Sequence, residues 1–211
     1  ANGKWHQPKK GTEKWENPWF LIGSDTNHPL NPPLYIELAF ELANQYAPNT
    51  ELIINQHGSM QKPMWDKIKR LVLYLRKKGL RVDGIGWQGH LMNNQGLKQF
   101  VENLDEELKK LSDLIDWAHS NKLEFHITEL DYYNNGENNI FNSVEKQAEV
   151  YQKLMNLSQE KSKNGLVTVN FWSMGERISS RGKKGHYMSI YDNDTIPTKT
   201  YEVVKKFINF D

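Results

Sequence analysis

Four short stretches gather side chains that can do chemistry: Asn55-Gln56-His57, Gln88-Gly89-His90, Thr128-Glu129-Leu130-Asp131 and Trp172-Ser173-Met174-Gly175-Glu176. Each ends a run that reads as a β-strand, and in α/β folds ligands bind at the carboxyl ends of strands. One carboxylate cluster, one indole and two amide-plus-imidazole groups would then meet at one mouth. Packing alone is a poor account of this, because buried polar groups are costly unless something pairs with them. Glu129 follows Phe125, Ile127 and Thr128, and strand alternation puts it on the side of Phe125 and Ile127, a carboxylate ending that row at the mouth. A solvated acid or a structural salt bridge is the plainer reading. His90 tips the balance, since an imidazole on an adjacent strand can hold Glu129 by a hydrogen bond and keep it oriented and ionised. His57, His126 and His186 read as structural.

Other chemistries fall away. The chain has no Cys, and its seven His form no HExxH or i, i+4 pair, so neither a thiolate nor a compact metal site is expected, nor any cofactor. No GxGxxG or GxxxxGK[ST] follows a strand, which removes phosphate and dinucleotide binding, and Ser59 and Ser173 lack a nucleophile-elbow setting. With 27 Lys plus Arg against 26 Asp plus Glu, no global field draws in nucleic acid or an acidic membrane. No window has the roughly eighteen apolar residues of a membrane span. What remains is aromatic surface beside amides: Trp87, Trp172, Tyr132, Tyr133 and Tyr191 near Asn, Gln and His. A sugar ring offers CH-rich faces and an equator of hydroxyls, so carbohydrate is the leading ligand class.

The elements that must position these groups alternate. Strands are expected at 51–55, 82–88, 123–130 and 166–172. A helix over 34–46 carries Leu38, Leu42 and Tyr46 at four-residue spacing and ends before Pro48. A second opens with Pro63 at its first position, carries Trp65, Ile68, Leu71, Val72 and Leu75 as one stripe, and closes at Gly79. Leu104, Leu108, Leu111, Ile115 and Ala118 mark a third; Val144, Ala148, Tyr151 and Met155, after the N-cap Ser143, mark a fourth; the last covers 200–207. Strand starts lie roughly 30 to 45 residues apart, the spacing of (β/α) units in a barrel. A closed barrel needs eight strands and about 250 residues, so four strands fit either half a barrel or an open α/β sheet. Residues 1–32, rich in Trp, Pro, Asn and Lys, read as a long loop leading into a partial barrel that takes in 1–211. The chain opens on Ala1 rather than Met, and is read as a piece of a longer one.

At these residues the sequence resembles the C-terminal half of the catalytic barrel of glycoside hydrolase family 10, the retaining endo-β-1,4-xylanases. Val82-Asp83-Gly84-Ile85-Gly86-Trp87-Gln88-Gly89-His90 matches that family's sixth-strand pattern and Ile127-Thr128-Glu129-Leu130-Asp131 its nucleophile strand. Ala47-Pro48-Asn49 before Leu52-Ile53-Ile54-Asn55, and Tyr191-Asp192 followed by Pro197 and Tyr201, add support over residues 33 to 211. The resemblance implies a (β/α)8 TIM-barrel fold of which this chain holds the fifth to eighth strands. It implies Glu129 as nucleophile and His90 as its orienting partner, with Gln88, Trp172, Trp87, Asn55 and Arg181 near the sugar. It places the acid/base Glu at the end of the fourth strand, upstream of Ala1, so this chain alone is expected to be inactive or weak. Secretion is implied by the family.

Three departures stand out. Asn55-Gln56-His57-Gly58 replaces the family's Asn-Asp-Tyr-Asn, Trp172-Ser173 with Glu176 replaces Trp-Gly with Asp, and Ser179-Ser180-Arg181 replaces Ser-Trp-Arg. The partners this reading implies are xylan or a related β-1,4-glycan and, because a half barrel leaves strand edges open, the missing N-terminal half or a second copy of the chain. The alternative from another class is a non-catalytic carbohydrate-binding derivative of the same barrel.

Overall fold

The computed structural model describes Trp5 and residues 18–92, 95–134, 139–172, 174–175, 177–178, 186–192 and 194–208, with backbone alone for 95–97, 177–178 and 186–187. Two compact units emerge, Ala1–Ile54 with Gln61–Asp83, and Asn55–Met60 with Gly84–Asp211.

The first unit holds a 3-10 turn, Pro18–Ile22, and two helices, α1 (Leu34–Tyr46) and α2 (Lys62–Lys77). The stripe of α2 is buried through Trp65, Ile68, Leu71, Val72 and Leu75. Pro63 occupies the second helical position rather than the first, behind the N-cap Gln61. Gly79, at φ +80°, closes the helix: its N–H meets the Arg76 carbonyl while Leu80 N–H meets that of Leu75. That left-handed residue satisfies two terminal carbonyls at once. Tyr74 is held between carboxylates, its hydroxyl 2.6 Å from Glu37 Oε2 and 3.0 Å from Asp25 Oδ2, with Lys78 Nζ 2.7 Å from Glu37 Oε1. Burial and these neighbours push the Tyr74 phenol up to about 12. In contrast, α1 buries none of its residues; Leu38, Leu42 and Tyr46 all lie exposed.

The second unit is built on β1 (Ile53–Gln56, entering the unit at Asn55), β2 (Gly84–Trp87), β3 (His90–Leu91), β4 (Glu124–Asn134) and β5 (Val167–Phe171), with β6 (Arg177–Ile178) and β7 (His186–Met188). β4 is its axis. β2 and β3 pair with one edge of it and β5 with the other, all parallel, in the register Ile85↔Phe125 and Phe125↔Val167. The helices are α3 (Gln95–Glu102), α4 (Leu104–Ser120), α5 (Val144–Lys161) and α6 (Lys199–Lys205). α4 packs on β4 and α5 on β5, burying Leu111, Ile115, Ala118, Ala148, Val150, Tyr151 and Leu154. Ser143 caps α5 by accepting from Lys146 N–H at 3.1 Å.

Three sequence expectations change here. The buried face of α5 is turned from the expected stripe: Val150 and Leu154 are buried while Val144 and Met155 are half-buried. β4 runs on to Asn134 instead of stopping at 130, because Tyr132, Tyr133 and Asn134 find antiparallel partners in β7. That pairing is long-range and leaves no local period to read. The alternation expected along β4 also breaks. Trp87 pairs with Ile127 and His90 with Asp131, and on the other edge Val169 pairs with Ile127 and Phe171 with Leu130. On both edges β4 carries one residue more than its neighbour between these pairs, a bulge at 128–129.

Candidate active site

The bulge decides where Glu129 points. Phe125 and Ile127, the residues with which it was expected to share a side, are fully buried, whereas Glu129 is partly exposed. A bulge adds one residue and re-aims the next side chain, and here Thr128 and Glu129 both reach Asn55. Thr128 Oγ1 donates to Asn55 Oδ1 at 2.9 Å, and Asn55 Nδ2 donates to Glu129 Oε1 at 3.1 Å. The Glu129 N–H is fixed by the Gln88 carbonyl at 2.8 Å.

His90 meets the other carboxylate oxygen. Its Nε2 lies 3.1 Å from Glu129 Oε2 and its Nδ1 3.0 Å from Asp131 Oδ1. Both partners are carboxylates that accept, so two N–H groups, the imidazolium form, satisfy the pair together. Burial works against that cation, but the hydrogen bond and charge of Asp131, joined by those of Glu129, outweigh it and raise the His90 pKa above its ordinary value. Asp131 is the inner member, 2% exposed at its side chain against 17% for Glu129. The charge of Asp131 also reaches Tyr151, whose phenol is pushed up chiefly by its own burial.

The turn that presents His90 depends on Gly89, at φ +78°, where an added Cβ would lie 3.1 Å from Ile127 Cγ2. Trp172 lies beyond: its backbone N–H donates to the Leu130 carbonyl at 3.1 Å, its ring stands edge-on to the imidazole at 5.9 Å and 83°, and it is 51% exposed. Gln88 is half-buried beside them.

The structure therefore gathers Asn55, Gln88, His90, Glu129 and Trp172. Trp87 needs correction. Expected among the aromatic faces open to a sugar, it is instead fully buried, its indole N–H donating to the Gly58 carbonyl at 2.6 Å and its ring packed on Phe100. Tyr132 and Tyr133 are buried as well. Gln56, next to Asn55, is turned away, its amide donating to the His57 carbonyl. His126 bonds Thr168 Oγ1 at 2.9 Å and faces Glu124 at 3.3 Å. Arg181, Ser180, Ser173 and Glu176 lie outside the described residues. Two residues to which the sequence reading gave no role prove central: Asp131, two positions after Glu129, and Thr128, just before it. Among the described residues, no group of three or more His, Asp or Glu is placed to hold a metal.

A parallel sheet backed by helices, with the Glu129 carboxylate on its long strand and the Trp172 indole just past the end of β5, fits part of a (β/α) barrel. The chain belongs to glycosyl hydrolase family 10, whose profile matches residues 30–207. It is similar to the endo-1,4-beta-xylanase A of Thermotoga neapolitana, 32% identical over 169 residues, which is 77% of this chain and 15% of that protein. The endo-1,4-beta-xylanase A of Caldicellulosiruptor saccharolyticus is 29% identical over 151 residues, 68% of this chain and 41% of that protein. Among solved structures, xylanase XynB from Paenibacillus barcinonensis, complexed with a conduramine derivative, aligns with a TM-score of 0.67 at 22% identity, over 85% of this chain and 54% of that one. The intracellular xylanase TsXylA from Thermoanaerobacterium saccharolyticum, an E251A mutant complexed with xylotetraose, gives 0.61 at 26% identity, over 82% and 49%. The chain thus spans about half of these solved barrels and a smaller share of the curated relatives.

Proposed function

We propose that this chain supplies the nucleophile half of a retaining glycoside hydrolase site for xylan or a closely related β-1,4-glycan. The observation that carries the reading is the chain Asp131, His90, Glu129, which leaves an oriented carboxylate at the mouth with an exposed indole beside it. Glu129 attacks the anomeric carbon and forms a covalent glycosyl intermediate, which water then hydrolyses. The imidazolium and the Asn55 amide hold the two carboxylate oxygens so that one lone pair can face the sugar. Trp172 offers an apolar face to a pyranose ring and Gln88 a hydrogen-bonding amide. The xylan assignment draws on the names of the relatives and on the xylo-oligosaccharide in the TsXylA complex.

The alkoxide leaving group needs a proton, and a retaining site places the donor carboxyl about 5 to 5.5 Å from the nucleophile. In this reading the donor comes from the half of the barrel that this chain does not span. Half a site is testable by itself. A 2-deoxy-2-fluoro-β-xylobioside carrying dinitrophenolate needs no acid to depart. The chain should release one equivalent of dinitrophenolate and gain the sugar's mass on Glu129, and Glu129→Gln should do neither. No label on the parent chain, together with saturable binding of xylo-oligosaccharides, would overturn the enzymatic reading in favour of a binding derivative.

A further inference from the structure

We infer that Thr128 is a positioning residue for the nucleophile: its hydroxyl fixes the Asn55 amide so that the amide donates to Glu129, and Gly86 is the space that makes this possible. The inference deepens the proposed function and rests on it for its kinetic consequence alone.

A carboxamide has a donor end and an acceptor end of nearly equal size, and only its neighbours decide which faces where. Here Glu129 Oε1 takes the donor end at 3.1 Å while Thr128 Oγ1 takes the acceptor end at 2.9 Å. The hydroxyl has one proton. Its other acceptor, the Trp87 carbonyl, is 3.4 Å away, so the amide has the better geometry. Asn55 is exposed at its strand end, and with a single partner on its acceptor end no other described hydrogen bond stops the amide from swinging. The carboxyl group alone would hold the amide less firmly once it is no longer ionised. Once Glu129 becomes the glycosyl ester it loses that charge, and the hydroxyl is what keeps the donor in place for the second step.

Gly86 supports this from the adjacent strand. A Cβ there would fall 2.8 Å from Asn55 Oδ1 and 3.0 Å from Thr128 Cγ2. The first of these is closer than real Cβ contacts come, so a methyl group would displace the very oxygen that Thr128 holds. The bulge completes the arrangement, since without the extra residue in β4 Thr128 and Glu129 would face opposite sides of the sheet. The titratable groups facing the carboxylate among the described residues are His90 and, behind it, Asp131.

The test is made on the full chain, 15N-labelled. The Asn55 side-chain amide protons should shift when Glu129→Gln removes the carboxylate they meet. In Thr128→Val, which keeps the branched shape and loses the hydroxyl, this shift should fall by at least about half, and Thr128→Ser should restore it. Gly86→Ala should produce the same loss with the hydroxyl still present, which guards against misfolding of the valine variant. Labelling of Glu129 by the fluoroglycoside should slow about tenfold in Thr128→Val. An amide response in both Thr128→Val and Gly86→Ala equal to that of the parent chain would overturn the inference. Absence of label on the parent chain would sink the proposed function instead, and the amide response would still decide the role of Thr128.

Discussion

His90 is the residue on which the electrostatics of the mouth turn. Its pKa is raised although burial opposes the cation, and Asp131 is the largest of the opposing influences. Replacing Asp131 with Asn removes that charge and leaves the burial, so the imidazole should titrate at lower pH by NMR. A midpoint that fails to drop would mean that Asp131 does not hold the proton. The stability linkage has a definite sign. A histidine with a raised native pKa stabilises the fold fully below its ordinary value of 6.5, and that contribution is lost as pH rises through the raised value. The stability gap between the parent chain and His90→Gln should therefore be widest in mild acid and narrow on the alkaline side, read from urea midpoints across pH. The pairing of His90 with Glu129 was legible in the sequence because both stand at or just past the ends of the strands expected at 82–88 and 123–130. The burial of Trp87 was not: an indole at a strand end looks alike whether it faces a sugar or Phe100, and only its hydrogen bond to the Gly58 carbonyl separates the cases.

At the scale of elements, the longer helices were readable, whereas the short α3 and the strand details were not. α2 declared itself through a stripe and Gly79, and α5 through Ser143, because caps and 3.6-residue periods are local physics. Ser143→Ala should cost about 1 kcal/mol in urea unfolding, the usual worth of an N-cap. The extension of β4 and its bulge depend on β3, β5 and β7, which lie up to dozens of residues away, so no window of sequence carries them. Gly89 is where the two kinds of information meet. It holds a left-handed φ and packs against Ile127 at the foot of the bulge. Gly89→Ala should cost about 1 to 3 kcal/mol, from the backbone conformation and the tight Cβ contact together. Because His90 is the next residue, the same change should weaken fluoroglycoside labelling of Glu129. Loss of stability with labelling intact would show that the turn supports the fold and not the site.

For the molecule as a whole, the chemistry and the span of the chain make the same demand. α1 exposes Leu38, Leu42 and Tyr46, and Asn55 is exposed on β1. The relatives' barrels are about twice as long as the matched segment. If the proton donor belongs to that other half, the isolated chain has a nucleophile without an acid, and its rates should depend on the leaving group far more than those of a complete site. Aryl xylobiosides with dinitrophenolate should react, whereas unsubstituted xylo-oligosaccharides, which must expel an alkoxide, should turn over about 10² to 10⁴ times more slowly than in a complete relative. Adding a segment with the first four strands of such a relative should recover the second activity and leave the first nearly unchanged, since the acid matters only where the leaving group is poor. Comparable turnover on both substrates by the chain alone would instead place the acid within these 211 residues.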